Sequence, residues 1–140
     1  MTTLVVDASV VAKWFFPEEH SAKARRLLSP GRALFAPDLV WSEVGSIAWK
    51  RVRRGEITKD EAAQLIADLI RLPLDTTPTQ TLLAPALELA IATERTVYDC
   101  MYLALAIARK CRFVTADERF VNALSSTPFA KHIRHVTKLR

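Results

Sequence analysis

Leu4-Val5-Val6-Asp7-Ala8-Ser9 is the stretch on which the reading of the fold turns. Three aliphatic residues, two of them β-branched, make the short apolar run that fills the centre of a parallel sheet, buried on both faces. The run stops on a carboxylate. In open α/β sheets ligands bind just beyond the carboxyl ends of the strands, so Asp7 stands where such folds place chemistry. A structural role weighs at least as much on this stretch alone. Asp7 or Ser9 can simply cap the helix that follows, Val10-Val11-Ala12-Lys13-Trp14-Phe15. The balance depends on whether other acids recur in equivalent places.

Working outward, the chain alternates apolar runs with helical periodicity. Pro17-Glu18-Glu19 ends the first unit, and a basic amphipathic helix follows, with Ala22, Leu27 and Leu28 facing inward. Ala33-Leu34-Phe35-Ala36 reads as a second strand stopped by Pro37. Asp38 is the expected N-cap of a long helix that reaches Arg54 and ends at Gly55. Its stripe is Val40, Trp41, Val44, Ile47 and Ala48, and Glu43 lies at the edge of that stripe, a costly place for an unpaired carboxylate. Thr58 and Glu61 form a capping box at the start of a second helix, making a helical hairpin. Leu74–Thr77 is a short third strand. The next helix ends near Glu94, and Pro85 either sits in its first turn or breaks it. From Thr96 a helix apolar on every side, Met101 to Ala108, must lie in the middle of the fold. Arg112–Thr115 is a fourth strand ending at Asp117, a short helix spans Glu118 to Leu124, and a last strand falls near Ile133–Val136. Repeated βα order without internal repeat or linker predicts one α/β domain over residues 1–140, with a parallel sheet.

Composition narrows the partners. Half of the 140 residues are hydrophobic and only 3 are Gly, which argues against disorder. A net charge of +5 suits an anionic partner, nucleic acid before membrane. Two cysteines, Cys100 and Cys111, fit a reduced compartment and are too few for a disulfide framework or a zinc ligand set. The longest uncharged apolar run, Cys100–Ala108, is far short of the roughly 20 residues of a membrane span. No signal peptide pattern precedes the first strand, so a cytoplasmic protein is expected.

Four acids stand out by position: Asp7 and Asp117 past strand ends, Glu43 beside an apolar helix face, and Asp99 in the first turn of the buried helix. Each has an ordinary explanation. Thr96 with Asp99 and Thr115 with Glu118 fit capping boxes, Asp117 suits a helix dipole, and Glu43 can pair with an arginine. Together they weigh differently, because converging carboxylates repel unless a cation lies between them. Hard oxygen donors without His or Cys suit Mg²⁺ or Mn²⁺. His20, His132 and His135 are scattered and read as surface residues.

Four segments, spread over nearly the whole length, carry a family resemblance: Val5–Ser9, Trp41-Ser42-Glu43-Val44, Thr96-Val97-Tyr98-Asp99-Cys100-Met101-Tyr102-Leu103-Ala104, and Thr115-Ala116-Asp117-Glu118-Arg119-Phe120. The chain resembles a PIN-domain ribonuclease, the VapC-type toxin of a type II toxin–antitoxin pair. The acid that leads a Tyr-Leu-Ala helix is the most specific feature. The resemblance implies a three-layer α/β/α fold with a mainly parallel sheet of four to five strands. It implies that Asp7, Glu43, Asp99 and Asp117 surround one or two divalent ions, with Ser9 and Thr115 in support. Many relatives carry Asn three residues after the helix acid; here Ser46, a shorter hydrogen-bonding side chain, stands there after Gly45.

The chemistry so implied is metal-dependent hydrolysis of an RNA phosphodiester, with a small antitoxin and a second copy of the chain as partners. The basic run Lys50, Arg51, Arg53 and Arg54 is then the candidate contact for the RNA backbone, although such a run also suits a solvated helix end. A phospho-acceptor receiver domain is the main rival, but Asp7 has no acidic neighbour and Asp75 is isolated. A phosphatase with an Asp-x-Asp strand end fails at Ala8 and Ser9. A PIN fold kept only as an interaction module would be marked by loss of an acid, and none of the four is missing.

Overall fold

The computed structural model describes residues 2–139, and every strand in it runs parallel to its neighbours. β1 (Thr2–Val6) leads into α1 (Ala8–Phe15) and the short α2 (Ser21–Arg25). β2 (Arg32–Pro37) is followed by the hairpin of α3 (Leu39–Arg53) and α4 (Lys59–Ile70). β3 (Leu74–Thr77) passes through α5 (Thr79–Thr93) and α6 (Val97–Ala108) to β4 (Arg112–Thr115). α7 (Glu118–Leu124) then leads to β5 (Ile133–His135). The sheet order is β3-β2-β1-β4-β5. The chain builds outward from β1 in one direction, then crosses back and builds in the other. β1 and β4 therefore flank the point where strand order reverses, and Asp7 and Asp117 leave the sheet on either side of it.

The apolar run predicted to fill the sheet does so: Val5 and Val6 are fully buried, as are Phe113 and Val114 beside them. α6 packs against β1, β2, β4 and α5, and Cys100 to Ala106 are all buried, as expected for a helix without a polar face. Tyr102 stacks on Phe113 with ring centroids 5.6 Å apart, and Phe113 meets Phe120 edge-on. Truncating a buried leucine such as Leu103 here would cost about 2–5 kcal/mol. Among the described residues no helix is long and apolar enough to cross a membrane.

Several local expectations need correction. In the α2 region the inward residues are Ser21, Ala24 and Leu27, while Ala22 and Leu28 are exposed. Ser21 is buried because its hydroxyl donates to Phe16 O and accepts from Glu18 N, and the helix tightens into a 3₁₀ turn at Arg26–Leu28. Asp38 does not cap α3. Its own backbone is already helical, and its carboxylate accepts from Thr79 N at 3.0 Å, capping α5 instead. Pro85 sits in the interior of α5 without ending it. It is exposed, as is Thr81, whose carbonyl loses to the proline the amide it would otherwise meet. Thr115 belongs to β4 and starts no capping box; Asp117 caps α7. Val136 has left β5 for a 3₁₀ turn. The Thr58–Glu61 capping box is present with both bonds.

Candidate active site

Asp7, Glu43, Asp99 and Asp117 come from four separate elements, and all four line one pocket of about 330 Å³ with Ser9, Ser46, Lys50 and Tyr102. Each is held differently. Asp7 caps α1 with one oxygen, accepting from Val10 N at 3.1 Å and from the Ser9 hydroxyl at 2.6 Å. Its other oxygen accepts from Thr115 Oγ1 at 2.6 Å. Thr115 Oγ1 in turn accepts from Asp117 N, and Ser9 Oγ from Ala116 N. Capping and site-building are thus done by the same carboxylate. Burial pushes the Asp7 carboxyl up to about 6 from its ordinary 3.8, with the Glu43 charge adding to it and the Ser9, Thr115 and Val10 bonds opposing.

Glu43 projects from α3 and accepts a hydrogen bond from the buried Tyr102 hydroxyl. Its carboxyl lies above its ordinary value through burial and the Asp99 charge, against the Tyr102 bond. The uncomfortable acid at the edge of the stripe is therefore paired with a tyrosine of α6 rather than an arginine. Ser46 lines the same pocket but is exposed and makes no side-chain hydrogen bond to Glu43 among the described residues.

Asp99 and Asp117 share a residue that the sequence did not single out. Thr96 accepts from Asp99 N, which is half of a capping box, but the Asp99 carboxylate does not reach back to complete it. It accepts from Arg95 Nη2 at 3.2 Å, and Asp117 accepts from the same nitrogen at 2.9 Å. The Arg95 guanidinium also lies over the Phe120 ring, 4.6 Å from its centroid. The Asp99 carboxyl is still raised, because burial and the Asp117 charge outweigh Arg95. One signal was present in the sequence: Arg95 and Asp99 are four apart at a helix start.

The basic run does not act as a block. Arg51 is tied to Glu18 and Glu56 and lies over the Phe16 ring. Glu18 also pairs with Lys13 at 3.2 Å. Lys50 lines the acid pocket itself, and with Arg54 it lines an adjoining hollow of about 280 Å³ that shares Ser9 and Ile47. Lys50, Arg53 and Arg54 line a third hollow further out. Among the described residues no histidine lines the acid pocket: His132 meets Cys111 O, and His135 sits between Thr137 and Ala116 O. A larger hollow, about 1050 Å³, opens at the opposite, amino-terminal ends of the strands beside Arg32, Arg112 and Arg134. No described carboxylate lines it; the four acids gather instead beyond the carboxyl ends of the strands.

The donor set suits a divalent ion: four hard carboxylates line one pocket, and three of them are raised by burial and mutual charge. As the side chains stand, however, no three acidic, His or Cys groups among the described residues are gathered closely enough to hold an ion. Asp99 and Asp117 point at Arg95, and Glu43 at Tyr102. The chemistry of the residues fits a metal; to hold one, Glu43, Asp99 and Asp117 would have to turn away from these partners.

Residues 4–123 match the model of the PIN domain. This chain belongs to the PIN-domain family. It is 36% identical to Ribonuclease VapC3 of Pyrobaculum aerophilum over 118 residues, spanning 83% of this chain and 90% of the relative. The fold recurs in the VapC20 toxin of Mycobacterium tuberculosis, described as cleaving the sarcin–ricin loop, with TM-score 0.64, 19% identity, and 86% and 94% of the two chains covered. VapBC2 of Rickettsia felis, bound to a DNA fragment from its promoter, gives TM-score 0.64 at 13% identity over 96% and 98%. The parallel sheet of this PIN domain, flanked by helices, is the three-layer arrangement expected from the sequence. A receiver domain is not favoured.

Proposed function

We propose that this protein is an endoribonuclease of the VapC toxin type, in which residues 1–140 form a single domain working in the cytoplasm, and that Asp7, Glu43, Asp99 and Asp117 hold Mg²⁺ or Mn²⁺. The observation that carries this reading is the convergence of four carboxylates from four elements on one pocket beyond the strand ends, without a histidine among its described lining residues. The 36% identity to a VapC ribonuclease supports the substrate class. A divalent ion, when bound, supplies the Lewis acidity that lowers the pKa of an attacking water and stabilises charge on the leaving oxygen.

The chain's own residues do the rest. Ser9 and Thr115 fix the Asp7 carboxylate by short hydrogen bonds, so its oxygens keep one orientation. Tyr102 anchors Glu43 at the rim of the pocket, from which it turns to meet an ion. Lys50, with Arg53 and Arg54 beyond it, forms a cationic track leading out of the acid pocket, where backbone phosphates bind without reading sequence. Arg51 is occupied by Glu18 and Glu56, and its part is to hold α3 against the α1–α2 segment. A small antitoxin protein that covers the pocket and a second copy of the chain complete the partners; the VapBC2 structure of the same fold supports the first kind of partner.

The test is direct. Purified protein should cut a structured RNA with Mg²⁺ or Mn²⁺, stop in EDTA, and lose cleavage in the Asp99→Asn variant. Cleavage that survives EDTA, or an equally active variant, refutes the reading.

A further inference from the structure

Arg95 Nη2 stands between two of the four carboxylates, 3.2 Å from Asp99 and 2.9 Å from Asp117. A divalent ion drawing on the same oxygens would face the guanidinium at contact range, where two like charges oppose each other strongly in a partly buried site. The two cations are alternatives. We propose that Arg95 is the counter-cation of the metal-free site and that divalent metal enters by exchange with it. This rests on the nuclease reading above.

Three features fit an arginine that is held in place but replaceable. Its guanidinium is placed by the face of Phe120 and is only 22% exposed, so it is no loose surface cation. Its backbone follows Glu94, whose left-handed φ of 60° closes α5. Its Nε is buried with no hydrogen-bond partner. An arginine fork has five donors, and a buried donor left unmet is costly. The arrangement therefore neutralises Asp99 and Asp117 without satisfying Arg95, which leaves the arginine open to exchange.

Exchange also explains why four acids crowd one pocket without a ready-made metal cluster. Arg95 collects Asp99 from the start of α6 and Asp117 from the start of α7 onto one nitrogen, and so keeps two mutually repelling helix ends together until an ion replaces it. Once displaced, the guanidinium remains beside the pocket as a donor suited to an RNA phosphate.

The experiment is a Mn²⁺ titration of the RNA-free full chain at pH 7.5, following unbound Mn²⁺ by electron paramagnetic resonance, for wild type, Arg95→Gln, Arg95→Lys and Lys50→Gln. Exchange predicts that Arg95→Gln binds Mn²⁺ at least tenfold more tightly than wild type. Arg95→Lys, which keeps the charge without the planar fork, should fall between them and stands in if the Gln variant fails to fold. Lys50→Gln removes a cation from the same pocket wall without touching an acid, and its affinity should change by no more than about threefold. Thermal melts give the second readout: Arg95→Gln should melt below wild type in EDTA, and the gap should close in saturating Mn²⁺. Unchanged or weaker Mn²⁺ binding by both Arg95 variants overturns the proposal, and so does an equal gain in Lys50→Gln, which would make the effect one of net charge. If wild type cuts RNA with Mn²⁺ while the Arg95 variants bind no tighter, only the exchange fails. If no protein binds Mn²⁺ at all, the nuclease reading fails with it.

Discussion

Replacing Asp7 with Asn should stabilise the metal-free protein while abolishing its chemistry. The Asp7 carboxyl is raised from 3.8 to about 6, chiefly by burial. A raised carboxyl pKa means that the folded state holds the proton more tightly than the unfolded chain. Stability is therefore lost as pH rises through the window from about 4 to about 6, and the full penalty persists above it. A shift of about two units corresponds to at most about 3 kcal/mol at about 1.4 kcal/mol per unit. Asp7 keeps some exposure to solvent, so screening reduces the expected gain to about 1–2 kcal/mol, a rise in Tm of roughly 3–8 °C for a chain of this size. Asn preserves the oxygen that caps α1, and its amide can donate to Thr115 Oγ1, which has a lone pair to spare.

The assay is a set of melts of both proteins in EDTA between pH 4 and 7.5. The variant should melt higher at pH 7.5, and the gap should vanish near pH 4. Glu43 and Asp99 also titrate, but they do so in both proteins and largely cancel. Saturating Mn²⁺ should then reverse the order, since a ligand bound only by the folded state adds about 2.7 kcal/mol at a hundred times its Kd. A variant less stable than wild type at pH 7.5, or a gap that does not change with pH, would refute the argument. Such a result would mean that the bonds from Ser9, Thr115 and Val10 more than offset the burial of the charge.

Two further outcomes follow from other parts of the molecule. Replacing Lys50 and Arg54 together with Gln should weaken RNA binding and flatten its salt dependence, by up to about 0.7 in log–log slope for each phosphate no longer neutralised; an unchanged slope returns the track to being a solvated face. Asp38→Ala should cost about 0.5–2 kcal/mol in urea melts, because it uncaps α5, while RNA cleavage by the folded protein stays at the wild-type rate; an equal loss in α3-specific amide protection would contradict the cap assignment.

What the sequence disclosed and what it withheld divide along sequence distance. β1 with its terminal acid, the all-apolar α6 and the Thr58–Glu61 box are local patterns, and each appears where its pattern lies. Glu43 was noticed because helical periodicity put it beside a buried stripe, yet its partner Tyr102 is 59 residues away and no spacing names it. Asp38 looked like the cap of the helix it precedes, but a helix 41 residues further on offers it a free amide. Pro85 posed a dilemma only because sequence does not say which face of α5 meets water. Arg95 drew no notice because the bond that matters reaches Asp117, 22 positions on. The four carboxylates could be nominated one by one, but the cation between two of them is a product of tertiary structure.

Thr115 reaches Asp7 across 108 positions of sequence, and that separation has a consequence for synthesis. Asp7 leaves the ribosome well before its partner strand and Asp117. At translation rates of about 5–20 residues per second, the delay is roughly 5–20 s. During that time β1 can pair with β2, while its other edge and the far wall of the pocket do not yet exist. Any product of interrupted translation that stops before β4 lacks both Thr115 and the fourth acid. The four-acid pocket thus exists only in chains that have grown past Asp117, and fragments that stop before β4 are born without it.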